Sequence, residues 1–176
     1  MKNRIVKFGI LGLALAVGLI AAVPPALSRQ LHNGSPALER MRGLEGRWEG
    51  TTDRGDPEAV VTYEVVGRGS AVVETLFPGT TRAMTTVYHD DPSGNLMMTH
   101  YCTAGNQPDL ALVEAAEDHL SFVLSPDDRT IHVDSEGHAH ELTLTINGDG
   151  TLQHDWLNWA MGAPAATRNI DLVRVQ

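Results

Sequence analysis

A single cysteine, Cys102, occurs in 176 residues. No internal disulfide can form, so the chain is not a disulfide-stapled scaffold. Lysine is confined to Lys2 and Lys7, and all ten basic residues beyond position 28 are arginine. A lysine Schiff base is therefore excluded from that part of the chain. No Cys-x-x-Cys-His segment is present to attach a heme. The longest uncharged apolar run, Phe8–Val23, is 16 residues, shorter than the roughly 20 that a helix needs to cross a bilayer. Beyond it no helical pattern of crossover length separates the strand-like segments, which excludes a parallel α/β sheet.

The apolar run follows Lys2, Arg4 and Lys7 and precedes Pro24-Pro25-Ala26-Leu27-Ser28. Ala26-x-Ser28 satisfies the small-residue rule for cleavage before Arg29. Residues 1–28 are expected to be a signal peptide, with an uncleaved anchor as the alternative. The lack of a cysteine at the end of the run excludes lipidation there. The expected location is outside the cytoplasm, periplasmic or secreted. Losing the three positive charges moves the formal net charge from −9 to −12, and such a surface repels phosphate backbones, so nucleic acid is not an expected partner.

Ser35-Pro36 reads as an N-cap followed by proline at the first helical position. Ala37, Leu38, Met41 and Leu44 then recur at helical spacing until Gly43 or Gly46. From Arg47 onward the chain alternates. Strands are expected at 47–52, 58–66, 70–77, 81–89, 95–102, 109–115, 119–124, 138–146, 151–159 and 167–175, with a further short one at 130–134. Gly-, Asn- and Pro-rich turns separate them, among them Asn147-Gly148-Asp149-Gly150. About ten short antiparallel strands leave an edge problem that closure removes. The expected fold is all-β: a single antiparallel up-and-down β-barrel over 29–176, preceded by a short N-terminal helix.

Leu44-Glu45-Gly46-Arg47-Trp48-Glu49-Gly50 after a short helix resembles the Gly-x-Trp opening of lipocalin-type barrels. That resemblance implies that Trp48 plugs the closed end and that Arg174 lies across it by cation–π contact. The chain departs from secreted lipocalins in lacking their disulfide pairs. Its middle is similar to a group of uncharacterised exported bacterial proteins that carry Thr-His-Tyr-Cys…Gly-Asn-Gln-Pro, here Thr99–Pro108, and Gly-His-x-His, here Gly137–His140. No activity follows from that likeness.

Strand parity nominates the interior. Leu96, Met98, His100 and Cys102 share a face. So do Val72, Glu74 and Leu76, and so do Leu152, His154, Trp156 and Asn158. In 138–146 the apolar Leu142, Leu144 and Ile146 carry His138 and His140 with them onto the core face. His100, His140, His154 and Glu74 are thus expected to form an inward polar cluster. Asn106 and Gln107, in the loop after the Cys102 strand, are expected to reach the barrel mouth. A buried carboxylate beside a histidine suits ligand orientation, acid–base catalysis or a purely structural network. His138-x-His140 with His100 or His154 would offer a three-histidine metal site, and Cys102 is expected to be packing rather than a nucleophile. The leading expectation is a binding protein for a small, largely apolar molecule, with no cofactor and no stable membrane span after signal cleavage. A His/Glu enzyme in the same cavity and a His-based metal binder are the alternatives.

Overall fold

A computed structural model describes residues 33–55 and 58–175. The expected signal peptide lies outside the described residues. Helix α1 (Pro36–Arg42) begins where the Ser35 side chain accepts a hydrogen bond from the Leu38 amide, and it ends at Gly43. Its apolar stripe of Ala37, Leu38 and Met41 is buried. Ten strands follow: β1 (Gly46–Thr52), β2 (Ala59–Val66), β3 (Ala71–Leu76), β4 (Met84–Asp90), β5 (Leu96–Tyr101), β6 (Asp109–Ala115), β7 (His119–Leu124), β8 (His138–Ile146), β9 (Thr151–Ala160) and β10 (Ala163–Arg174).

Each strand pairs antiparallel with the next, and β1 pairs with β10, so the sheet closes into a barrel with no free edge. This is the expected all-β architecture, consistent with a lipocalin-like build. Two expectations are corrected. Residues 130–134 form no strand, because Asp128 ties Thr130 and Ile131 into a loop through its side chain. The last strand begins at Ala163 rather than 167, since an irregularity at Pro164/Ala166 absorbs the missing proline donor.

Closure requires one close approach. A Cβ at Gly50 would lie 1.7 Å from the Asp171 carbonyl oxygen, so only glycine permits β1 to meet β10 there.

The two ends of the barrel differ. At one end α1 lies over the strand turns. Arg40 donates to the Ala116 and His119 carbonyls, Arg42 donates to the Gly69 carbonyl, and Ser35 donates to Asp90. Trp48 is buried there, donates its indole N–H to the Leu44 carbonyl at 2.8 Å, and lies under the Arg174 guanidinium at 4.5 Å. The plug and its covering arginine are therefore as the Gly-x-Trp resemblance implied. Alternating residues such as Val61, Val72, Met98, Leu110, Phe122, Leu144 and Leu152 fill the barrel above it. The opposite end is not filled.

Candidate functional site: an interior polar belt below an open cup

Four adjacent strands place four polar side chains in one row. Tyr63 on β2 is opposite Glu74 on β3, Glu74 is opposite Thr86 on β4, and Thr86 is opposite His100 on β5. Facing residues of an antiparallel ladder project to the same side, so one inward residue per strand builds a continuous belt. All four are buried. The Tyr88 hydroxyl donates to Glu74 Oε2 at 2.9 Å, and Thr86 Oγ1 lies 3.3 Å from Glu74 Oε1 and 2.9 Å from His100 Nδ1. The Tyr63 hydroxyl bonds His154 Nε2 at 2.8 Å and is also a hydrogen-bonding neighbour of Glu74.

Burial dominates the electrostatics. Glu74 loses its hydration and its pKa rises to about 7, although hydrogen bonds from Tyr63, Tyr88 and Thr86 favour the ionised form. Burial pushes His100 down to about 4 and His154 down to about 3, so both are neutral at pH 7. The phenols of Tyr63 and Tyr88 are raised well above their ordinary value, by burial first and by the Glu74 charge second.

The belt couples Glu74 to His100 through a single hydroxyl. Thr86 has one proton to donate and two neighbours that want it. With Glu74 ionised, Thr86 donates to the carboxylate and accepts from His100 Nδ1–H, so His100 Nε2 is a bare acceptor. With a proton on Glu74 Oε1 the chain reverses. Thr86 then donates to Nδ1, and Nε2 carries the N–H. Both tautomers are assignments from this network.

His100 also forms part of the wall of a cup of about 470 Å³ at the end of the barrel opposite α1. Its ring contacts Trp156 with centroids 4.6 Å apart. Leu76, Phe77, Met84, Ala139 and Ile170 supply apolar wall, and Cys102 and Asn158 also line it. The Trp156 indole N–H is buried and has no partner among the described residues. Strand parity is sufficient to place Glu74, His100, His154 and Trp156 inside, and inside is where they lie.

Three expected site residues lie elsewhere. His140 is not in the cup wall: a β-bulge between Ala139 and Glu141 gives β8 one extra residue. The pattern set by Leu142 and Leu144 therefore inverts, and Ala139 takes the inward position expected for a histidine. His138 and His140 share the outer face with Trp159. His140 stacks on that ring at 3.9 Å and its Nδ1 bonds His138 Nε2 at 3.0 Å. The alternative metal set fails for the same reason, since His100 and His154 lie inside while His138 and His140 lie outside. Asn106 turns away from the mouth and donates to the Gly137 carbonyl at 2.9 Å, pinning the β5–β6 loop to the start of β8. Gln107 donates to the Gly105 carbonyl within its own loop.

Sequence reasoning missed the arginines of the cup. Arg54, Arg82 and Arg168 all line it, and Arg82 lies over the Phe77 ring at 4.8 Å. They come from the β1–β2 connection, the β3–β4 connection and β10, so no local motif announces them. The exclusive use of arginine beyond residue 28 is the one compositional trace.

In comparisons with known proteins, no family model matches the chain and no curated protein matches it.

Proposed function

We propose that this is an exported binding protein that holds a small, largely apolar molecule in the cup, with residues 1–28 as its export signal. The observation that carries the reading is the cup itself. Its volume of about 470 Å³ lies within the range of small-molecule sites, and its mainly apolar wall is interrupted by a histidine held in place from behind. His100 and, through Thr86, Glu74 are the polar groups that would orient the occupant; His154 supports the belt through Tyr63.

A titration with the neutral fluorophore N-phenyl-1-naphthylamine tests it. A saturable, one-to-one rise in emission is expected. It should be lost in Ala139→Trp or in Ala166→Trp, both of which fill the cup. Unsaturable emission, or binding indifferent to both substitutions in folded protein, would overturn the reading. Native mass spectrometry of protein purified from its own compartment would then identify the natural occupant as a co-purifying organic mass.

A second reading, acid–base catalysis on the occupant, is favoured by the Glu74 pKa of about 7 and its hydroxyl link to His100. It requires turnover of the identified occupant with a pH profile that Glu74→Gln abolishes. Binding without conversion would leave the first reading alone.

A further inference from the structure

The belt meets the cup at His100. Its Nδ1 lies 2.9 Å from the Thr86 hydroxyl and its ring packs against Trp156, so the imidazole is held from two sides. Nε2 has no partner among the described residues and is the ring nitrogen left to the cup. What Nε2 offers there is decided behind the wall. Thr86 lies 3.3 Å from Glu74 Oε1, and its one proton goes to the carboxylate or to the imidazole. An ionised Glu74 leaves Nε2 a bare acceptor, and a proton on Oε1 makes it a donor. Tyr63 and Tyr88 also face Glu74, and His154 bonds Tyr63. Burial keeps both phenols protonated and both buried histidines neutral around pH 7, so Glu74 is the belt group that changes charge there. The cup adds Asp53, Arg54, Arg82, Cys102 and Arg168. None of these is a hydrogen-bond or ion-pair partner of Glu74 or His100 among the described residues.

We infer that Glu74 is a specificity-determining residue of the cup: its protonation state, passed through Thr86 to His100 Nε2, sets whether the occupant's polar end must donate or accept a hydrogen bond, and the head group that suits both states is an alcohol. This rests on the cup being a binding site, and it narrows the class of ligand. A hydroxyl donates to a bare Nε2 and accepts from Nε2–H. A carbonyl only accepts, so one state matches it and the other sets it against a lone pair. Burying such a mismatch is costly, which turns one proton behind the wall into discrimination inside it. Glu74 acts here as a positioning residue and does not itself touch the occupant.

The test is displacement of bound N-phenyl-1-naphthylamine by three compounds that share one apolar body, 1-tetralol, 1-tetralone and tetralin, from about pH 5.5 to about pH 8.5. None of them ionises in that interval, and a ratio of two displacement constants cancels any response of the probe itself. Tetralone is expected to weaken against tetralol by about tenfold as pH rises, with its midpoint near the Glu74 value of about 7. The tetralol-to-tetralin ratio should stay within about threefold, since a hydroxyl satisfies either state. In Glu74→Gln the tetralone-to-tetralol ratio should be flat with pH. It should also be flat in Thr86→Val, which keeps the carboxylate and removes the hydroxyl between it and His100. A flat ratio in the wild type would overturn the inference and leave cup binding intact. A pH-dependent ratio that survives in either folded variant would overturn it too, because its source would lie outside the Glu74–Thr86 link. Failure of the fluorophore itself to bind would remove the cup reading and this inference together.

Discussion

Each end of the barrel carries a buried tryptophan, and the two are treated differently. Trp48 at the closed end has its indole N–H on the Leu44 carbonyl and the Arg174 guanidinium over its ring. Arg174 in turn donates to the Gly43 and Glu45 carbonyls. Trp156 at the open end contacts His100, and its indole N–H, in the wall of a cavity, has no partner among the described residues. Burying a donor with no acceptor costs about 1–3 kcal/mol. At the closed end the tryptophan's polar group is answered by the chain. The other end leaves polar groups for something else to answer. Fold and site are thus separated along the barrel axis.

The sharpest way to break this contrast is Trp48→Ala. Removing a buried tryptophan costs about 3–5 kcal/mol. Chemical denaturation should show that loss, while the fraction still folded should bind the cup probe with unchanged affinity. A cup affinity that falls with it would join the two ends into one unit.

Next in size is the pH response of the belt. Glu74 has a folded pKa of about 7, above the ordinary 4.5, so the folded state binds its proton more tightly. Its contribution is fully favourable below the ordinary value and is lost as pH rises toward 7. His100 and His154 act in the opposite sense: their lowered folded values mean stability is lost as pH falls below about 6.5. Two histidines outweigh one carboxylate between roughly pH 4.5 and 6.5, so wild-type stability should rise over that interval and decline slightly above it. Glu74→Gln removes only the carboxylate term. Its stability relative to wild type should improve by on the order of 3 kcal/mol from pH 4.5 to 8. A difference that is flat with pH would mean that Glu74 keeps an ordinary pKa. In the wild type, nitrogen NMR shifts of His100 should report a tautomer that changes as Glu74 titrates near pH 7, and Glu74→Gln should lose that pH dependence; wild-type shifts flat across that range would break the relay.

Phenylalanine placed at each tryptophan gives the most direct comparison. Trp48→Phe loses a satisfied hydrogen bond and should cost about 1 kcal/mol, before any packing loss. Trp156→Phe discards an unsatisfied donor and should cost less than Trp48→Phe, or be neutral. Equal losses at the two sites would remove the distinction drawn between the ends. The smallest effect is expected from His140→Ala. Outside the barrel, it should leave cup affinity within about twofold of wild type, whereas His100→Ala alters the wall itself. A cup that weakens with His140→Ala would return that residue to the site.

The amino-acid sequence by itself determined the strand rhythm, the helix start at Ser35-Pro36, the Gly46-x-Trp48 plug and the inward parity of Glu74, His100 and His154. These are legible because alternation and capping are local, and a two-residue period in a half-buried strand leaves little choice of face. Tertiary structure alone decided the rest. Nothing in Gly137–Ile146 marks the extra residue that turns His140 outward, because a bulge is defined by the partner strand's register and not by its own composition. Asn106 could be read as a mouth residue until closure brought the Gly137 carbonyl within its reach. Arg54, Arg82 and Arg168 are more than a hundred positions apart at their extremes, and only the closure of β10 onto β1 gathers them around one opening. A local pattern reports which side of a strand is wet. Which strands surround a cavity is a property of the closed sheet.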